Sequence, residues 1–367
     1  MKGGAERMNI EIAKILDADI ATAVWSGECY DARSMGYIGE IFEVDPDFQR
    51  GMIGFLRMKW RFYQTRHITA NYDSILFSNE AITGVWKTKP NTKTYYYAHS
   101  ISRHLFDQRN QYLAKVPFLS RPFFLLFSIF LRYLYKKELS KIDTIFVNSE
   151  ANKRRMSEWC GRSDAVLIYP SVDTDQFDIF SETSVSQILA IEGIMLQSKQ
   201  YYLSFSRLTH AKRIDSIIRS FQQTPEKNIL ILYGENDSQK DEFLYLGKGY
   251  PNIIFHKLID NNHLSYIISG SIASICVSKY EDFGMVAIES MACGIPVIAV
   301  NEGGYRESIG EGKTGYLVDP ENLEQNITSI IQNIDPDTFR AMEADCRRRS
   351  LDFSLQQMNI KIKQFIQ

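Results

Sequence analysis

An alternation constrains this chain more than any other feature. Short β-rich apolar runs recur along all 367 residues, separated by longer amphipathic stretches. Stretches 20–25, 74–77, 94–97 and 144–147 read as buried strands in the first half. In the second half, 201–205, 229–233, 253–255, 272–277 and 296–300 read the same way, with helices such as 212–221 and 286–293 between them. Continuous apolar strands alternating with helices imply parallel sheets covered on both faces. The expected fold class is α/β, with two Rossmann-like, doubly wound parallel-sheet domains.

At ~150 residues per domain, this length suggests about two domains. The alternation pauses once, from about 178 to 199, where the chain is polar with no clear period. A linker is expected there. The expected domains are 1–195, 196–350 and a C-terminal helix, 351–367, packing back on the first domain. Two doubly wound domains joined in this way are expected to hold a ligand between them, at the carboxyl ends of their strands.

Charge and cysteine content narrow the partners. Lys plus Arg number 42 and Asp plus Glu 44, so no global positive field exists to hold nucleic acid by its phosphates. The five cysteines (Cys29, Cys160, Cys276, Cys293, Cys346) are scattered and never form a CxxC. That argues against a disulfide framework and a structural zinc site, and suits a reducing compartment. Gly3 and Gly4 are followed by Ala5 and then the charged Glu6 and Arg7, so no signal peptide is expected. The longest apolar run, 122–130, lies between Arg121 and Arg132 and is shorter than the ~20 residues of a spanning helix. Segment 101–162 carries twelve Lys or Arg against five Asp or Glu and contains that run. Basic and aromatic residues together suit an anionic membrane surface, and equally a core helix with a solvated face. A cytoplasmic protein, peripheral on the cytoplasmic face of a membrane, is the expectation.

Two phosphate motifs fail. Gly312-Lys313-Thr314 lacks the P-loop's earlier glycine, since Glu307 stands there, and Gly247-Lys248-Gly249 meets Asn252 at its third glycine position. Asp173-Thr174-Asp175 has the form of a metal-binding DxD but follows Tyr169-Pro170-Ser171, where a turn is expected.

Segment 281–289 is richer. Glu281-Asp282-Phe283-Gly284-Met285 follows strand 272–277 and opens a helix containing Glu289. Gly284 allows close backbone approach, and the N–H groups of a helix start point at the ligand. Glu289 can accept paired ribose hydroxyls, and Glu281 can face a sugar ring. Gly303-Gly304-Tyr305-Arg306-Glu307 forms another backbone-exposing loop.

With these residues the chain resembles the retaining glycosyltransferases of family 4, which have the GT-B fold. Gly3-Gly4-Ala5-Glu6-Arg7 resembles that family's N-terminal glycine turn, and Tyr97-Ala98-His99-Ser100-Ile101-Ser102-Arg103 its His-containing strand end. Val147-Asn148-Ser149 and Ile168-Tyr169-Pro170-Ser171-Val172-Asp173 resemble segments ahead of its linker. Leu203-Ser204-Phe205-Ser206-Arg207-Leu208, followed by Lys212-Arg213, is similar to its phosphate-binding pair. The Glu281 to Glu289 stretch is similar to its two-glutamate signature.

The resemblance implies a nucleotide-sugar donor on the C-terminal domain and an acceptor on the N-terminal one. Arg207 and Lys212 would offset the charge of the leaving diphosphate without a metal. Glu289 would hold the ribose and Glu281 the donor sugar, with the N–H groups of Phe283, Gly284 and Met285 on its hydroxyls. Gly4 and Gly234 would also line the donor. His99 would sit beside the anomeric carbon, and Arg103 would contact the acceptor or a phosphate. The implied reaction is retaining, metal-independent and cofactor-free hexosyl transfer to a glycan or lipid-linked acceptor. GDP-mannose is favoured as donor and UDP-glucose is next. A sugar-nucleotide 2-epimerase and a non-catalytic sugar-nucleotide-binding protein are the alternatives. The family also places a central strand before the glycine turn. Met1 is therefore expected to be an internal methionine, with an apolar strand beginning roughly ten to fifteen residues upstream.

Overall fold

The computed structural model describes residues 3–25, 30–49, 51–114, 116–234 and 239–366, apart from the His104 side chain. Cys29 lies outside them. The chain forms two compact units: one takes the sequence up to Tyr169 and returns for Lys361 onward, and the other is Pro170–Ile360.

In the first unit, β1 (Ile20–Thr22) pairs in parallel with β2 (Ile41–Glu43). A four-stranded parallel sheet follows the order β3 (Ser74–Ser78), β4 (Lys93–Ala98), β5 (Thr144–Val147), β6 (Val166–Leu167). Helix α1 (Gly4–Leu16) ends at Asp17 in the left-handed conformation and leads into β1. Tyr96, Ile145 and Val147 pack with Leu139 and Met156 in the core. The last residues belong here too. The Tyr95 hydroxyl donates to Phe365 O at 3.1 Å, and the Phe365 ring meets Phe146 edge-on.

The second unit is a six-stranded parallel sheet: β7 (Tyr201–Phe205), β8 (Asn228–Leu232), β9 (Ile253–His256), β10 (Ser274–Cys276), β11 (Val297–Val300) and β12 (Gly315–Val318). Its order is β12-β11-β10-β7-β8-β9. β7 and its successors grow outward one way and β10 and its successors the other, so the winding reverses between β7 and β10. That reversal is where open parallel sheets bind ligands.

Boundaries differ in places. β1 stops at Thr22 rather than running to residue 25, and β2, β6 and β12 had no distinct apolar signal. The polar stretch 178–199 contains helix Glu182–Glu192, capped by the Ser181 hydroxyl, which accepts the Ser184 N–H at 3.2 Å. Its burial rests mainly on Val185 and Leu189, too few apolar positions to show a period. The passage between units falls at Tyr169–Pro170, ahead of that helix.

The run 122–130 lies within helix Arg121–Leu139. With the preceding turn, Phe118–Leu139 has the length and composition to cross a membrane, which corrects the shorter reading from the apolar run alone. Phe123, Leu126, Ile129, Phe130 and Tyr133 are exposed along one stripe, with Leu126 at 70%.

Candidate active site at the carboxyl end of the second sheet

Loops leaving β7 and β10 are tied together: the Lys279 N–H donates to Ala211 O at 2.7 Å. From the β7 side comes Lys212, whose Nζ lies 2.8 Å from Glu281 Oε2 on the β10 side. Both side chains are about a quarter exposed, so the pair meets solvent. Arg207, two residues beyond β7, is exposed and has no ion pair among the described residues. Arg213 takes a left-handed backbone, φ +51°, and its guanidinium donates to Glu302 Oε2 at 2.8 Å and Val277 O at 3.3 Å. It joins the loop after β11 to the end of β10.

Helix Met285–Ala292 starts from Gly284, whose φ of +94° suits a residue without a Cβ. A Cβ there would stand 2.5 Å from Tyr305 Cε1. The Gly303-Gly304 loop presses against the Glu281 segment, with the Gly304 N–H donating to Glu281 O at 3.1 Å. A Cβ on Gly303 would meet Glu281 O at 2.1 Å, and one on Gly304 would meet Phe283 Cα at 2.2 Å. Phe283 is buried with its ring edge-on to Phe353, so its backbone is what it offers a ligand. Glu289 is buried in the same helix, one turn on from Met285. Gly234 follows β8 at the same end of the sheet.

A lysine held by a carboxylate where the β7 and β10 loops meet, with a helix starting at Gly284, suits a diphosphate, and Glu281 and Glu289 on that segment suit sugar and ribose hydroxyls. Among the described residues, no group of three His, Cys, Asp or Glu side chains could hold a metal ion. Asp173 instead accepts the backbone N–H groups of Asp175 and Gln176 at 3.0 and 3.1 Å, which is turn geometry. Cys276 and Cys293 are buried, and burial pushes both thiols up, as core residues require.

Gly4, His99 and Arg103 lie in the first unit. Gly4 is the first residue of α1 and Gly3 its extended N-cap, so this segment is a helix start rather than a tight turn. His99 follows β4 and is buried, which lowers its pKa to about 3 and keeps the ring neutral. Its Nε2 lies 2.7 Å from Asn9 Oδ1, an acceptor, which places the ring proton on Nε2. The Asn148 amide donates to His99 O at 2.6 Å, so the Val147-Asn148-Ser149 segment positions the histidine. Arg103 is engaged by Asp107, with Nε 3.1 Å from Oδ2. Glu302, and Tyr305 as the wall behind Gly284, are site residues that no local sequence pattern signals.

Solved structures share this architecture. Anabaena Alr3699/HepE, crystallised in complex with UDP and glucose, superposes with a TM-score of 0.76 at 21% identity, covering 99% of this chain and 95% of that one. Sucrose-phosphate synthase from Thermosynechococcus elongatus gives 0.74 at 19% identity, covering 98% and 91%. The fold is therefore GT-B. Residues 194–346 match the family model described as glycosyl transferases group 1. It is 28% identical over 182 residues to the alpha-1,3/1,6-mannosyltransferase ALG2 of Dictyostelium discoideum, covering 42% of this chain and 43% of that protein. It is 26% identical over 206 residues to the D-inositol 3-phosphate glycosyltransferase of Mycolicibacterium smegmatis, covering 54% and 46%. The chain thus spans about half the length of the curated relatives it matches.

Proposed function

We propose that this protein is a retaining, metal-independent glycosyltransferase that moves a hexose from a nucleotide sugar to a glycan or lipid-linked acceptor. The observation that carries the reading is the joining of Lys212 and Glu281 across the loops that leave β7 and β10, with the exposed Arg207 following β7 and the Gly284 helix start following β10. A departing diphosphate needs positive charge, and these two cations supply it at a strand end. Glu281 would face the donor sugar and Glu289 the ribose, while the N–H groups of Phe283, Gly284 and Met285 meet sugar hydroxyls. Gly234 would border the nucleotide. The neutral His99 would orient the donor sugar through a hydrogen bond rather than exchange a proton with it. Gly4 would border the diphosphate and Arg103 the acceptor.

GDP-mannose is the first donor to test and UDP-glucose the second. The Glu-Asp-Phe-Gly-Met sequence and the named mannosyltransferase relative favour the first, and the UDP and glucose held by HepE favour the second. The exposed apolar stripe of helix Arg121–Leu139, with Arg132, Lys136 and Lys137 nearby in sequence, supports a peripheral place on an anionic membrane at its cytoplasmic face. The test is a panel of nucleotide sugars scored for binding, slow hydrolysis and transfer. Hydrolysis of one donor, accelerated by an acceptor, is expected. Epimerised donor without transfer would mark a 2-epimerase, and binding without turnover a sensor; either overturns the proposal.

A further inference from the structure

Helix Glu343–Leu351 ties down both helices that leave the loops of the candidate site. Its Arg347 guanidinium donates to Ala292 O at 2.7 Å, at the end of helix Met285–Ala292, and to Phe177 O at 2.8 Å. Two residues on, Arg349 Nε donates to Ser308 O at 3.1 Å and its Nη2 donates to Glu307 O. Helix Tyr305–Ser308 has only four residues, so its last carbonyls have no partner within it and the guanidinium fork supplies one. That helix leaves the Gly303-Gly304 loop directly: Gly304 O accepts the Ser308 N–H at 3.2 Å. The same guanidinium lies over the Phe353 ring, 4.8 Å from its centroid, and that ring meets Phe283 edge-on at 5.4 Å. Phe353 is buried and anchored away from the loops. Its N–H donates to Ser350 O at 2.9 Å, and its O accepts the Val172 N–H at 2.8 Å.

Taking the site as the nucleotide-sugar site proposed above, we infer that Arg349 is a positioning residue for the donor. It holds the Gly303-Gly304 loop through the end of helix Tyr305–Ser308, and the Glu281–Phe283 segment through the Phe353 ring. These two pieces of backbone face each other, since the Gly304 N–H donates to Glu281 O. Phe283, Gly284 and Met285 offer a ligand backbone N–H groups, which no change of rotamer can re-aim. The placement of the loops therefore sets how well a donor is held, and that placement has to be fixed from behind. The chemistry of arginine suits the task. A planar guanidinium can fork to two carbonyls while its face lies on a ring, whereas a lysine ammonium is a single point charge. The ion pair of Arg349 with Asp352, at 2.9 Å between partly exposed side chains, adds little of its own.

The test uses the full chain and the variants Arg349→Lys and Phe353→Leu. The wild-type chain is titrated calorimetrically with a panel of nucleotide sugars headed by GDP-mannose and UDP-glucose, and each variant with the one it binds. Each variant should bind that donor about tenfold more weakly, with the number of sites per chain unchanged. The double variant should fall short of the product of the two single losses, because both side chains act on the same loops. A purely structural role would do the opposite and leave fewer sites at unchanged affinity. That result, or wild-type affinity in both variants, overturns the inference and leaves the proposed function standing. If Arg349→Lys does not fold, Phe353→Leu, which keeps an apolar side chain, carries the same comparison. A wild-type chain that binds no nucleotide sugar overturns the proposed function and this inference with it.

Discussion

Lys212 and Glu281 hold one another at 2.8 Å across the two loops that flank the winding reversal. Their proposed partners differ: diphosphate for the ammonium, sugar for the carboxylate. A solvent-contacting pair of this kind is worth about 0–1 kcal/mol, so a bound diphosphate can take the lysine at little cost. Lys212→Ala should therefore lower turnover by ~10²–10³, the usual loss for one preorganised charge donor. Its thermal stability should hardly change. Arg207→Ala should lose a comparable factor, and EDTA should leave both wild-type and variant rates unchanged. Steady-state rates with the identified donor check all three, and wild-type rates in both variants would remove the leaving-group role.

Gly303 and Gly304 carry a different kind of sensitivity. Each would drive a Cβ into the backbone of the Glu281–Phe283 segment, which cannot give way as a side-chain tip can. Gly304→Ala should displace that segment, abolish donor binding and cost about 1–3 kcal/mol of stability. Calorimetric titration with the donor nucleotide checks it, and unchanged affinity would show that the loop accommodates the methyl group.

His99 links folding to pH. Burial lowers its pKa to about 3, while the unfolded chain's imidazole titrates near 6.5. Between those values the unfolded state binds the proton and the folded state does not. Stability should accordingly rise with pH across that window and level off above it. His99→Gln should flatten this part of the curve. Denaturant midpoints at several pH values decide it; identical slopes in the two proteins would disprove the linkage.

Glu192 acts lower on the scale. Burial would raise its carboxyl, but hydrogen bonds from His256, Ile259 N, His263 and Asp260 N outweigh burial and hold it at about 2. Its ordinary value is 4.5, so its contribution is complete above that pH and disappears as pH falls toward 2. Glu192→Gln should cost about 1–3 kcal/mol at neutral pH, with the difference from wild type shrinking in acid. Thermal melts at pH 7 and pH 3 give the comparison.

Helix Arg121–Leu139 should bind vesicles containing anionic lipid, more weakly as salt rises. Replacing exposed Leu126 and Phe130 with Asp should reduce flotation with those vesicles about tenfold or more, while leaving donor hydrolysis intact. Absence of association at low ionic strength would remove the membrane surface from the proposal and leave the transfer chemistry untouched.

The sequence made the second unit readable because its strands are buried on both faces. Tyr201–Phe205 and Val297–Val300 are therefore unbroken apolar runs. Glu281, Gly284 and Glu289 fall within one local stretch, so their spacing carried the site. β2 and helix Glu182–Glu192 were harder, since each buries only part of a short segment and leaves no period. Arg213 meeting Glu302 joins positions 89 residues apart, and the Tyr305 ring fills the space that Gly284 leaves. Such pairings arise from sheet order, and no local pattern encodes them.

The hydrogen bond from Tyr95 to Phe365 also bears on how the protein is born. The first unit is discontinuous in sequence, and its closing piece, Lys361 onward, is made only after all of Pro170–Ile360. Residues Pro170–Ile360 can assemble during synthesis as an uninterrupted unit, whereas the earlier one must wait for Lys361 onward before Tyr95 and Phe146 are covered. Vectorial synthesis thus reverses the usual order here: the unit begun first is completed after the one that follows it.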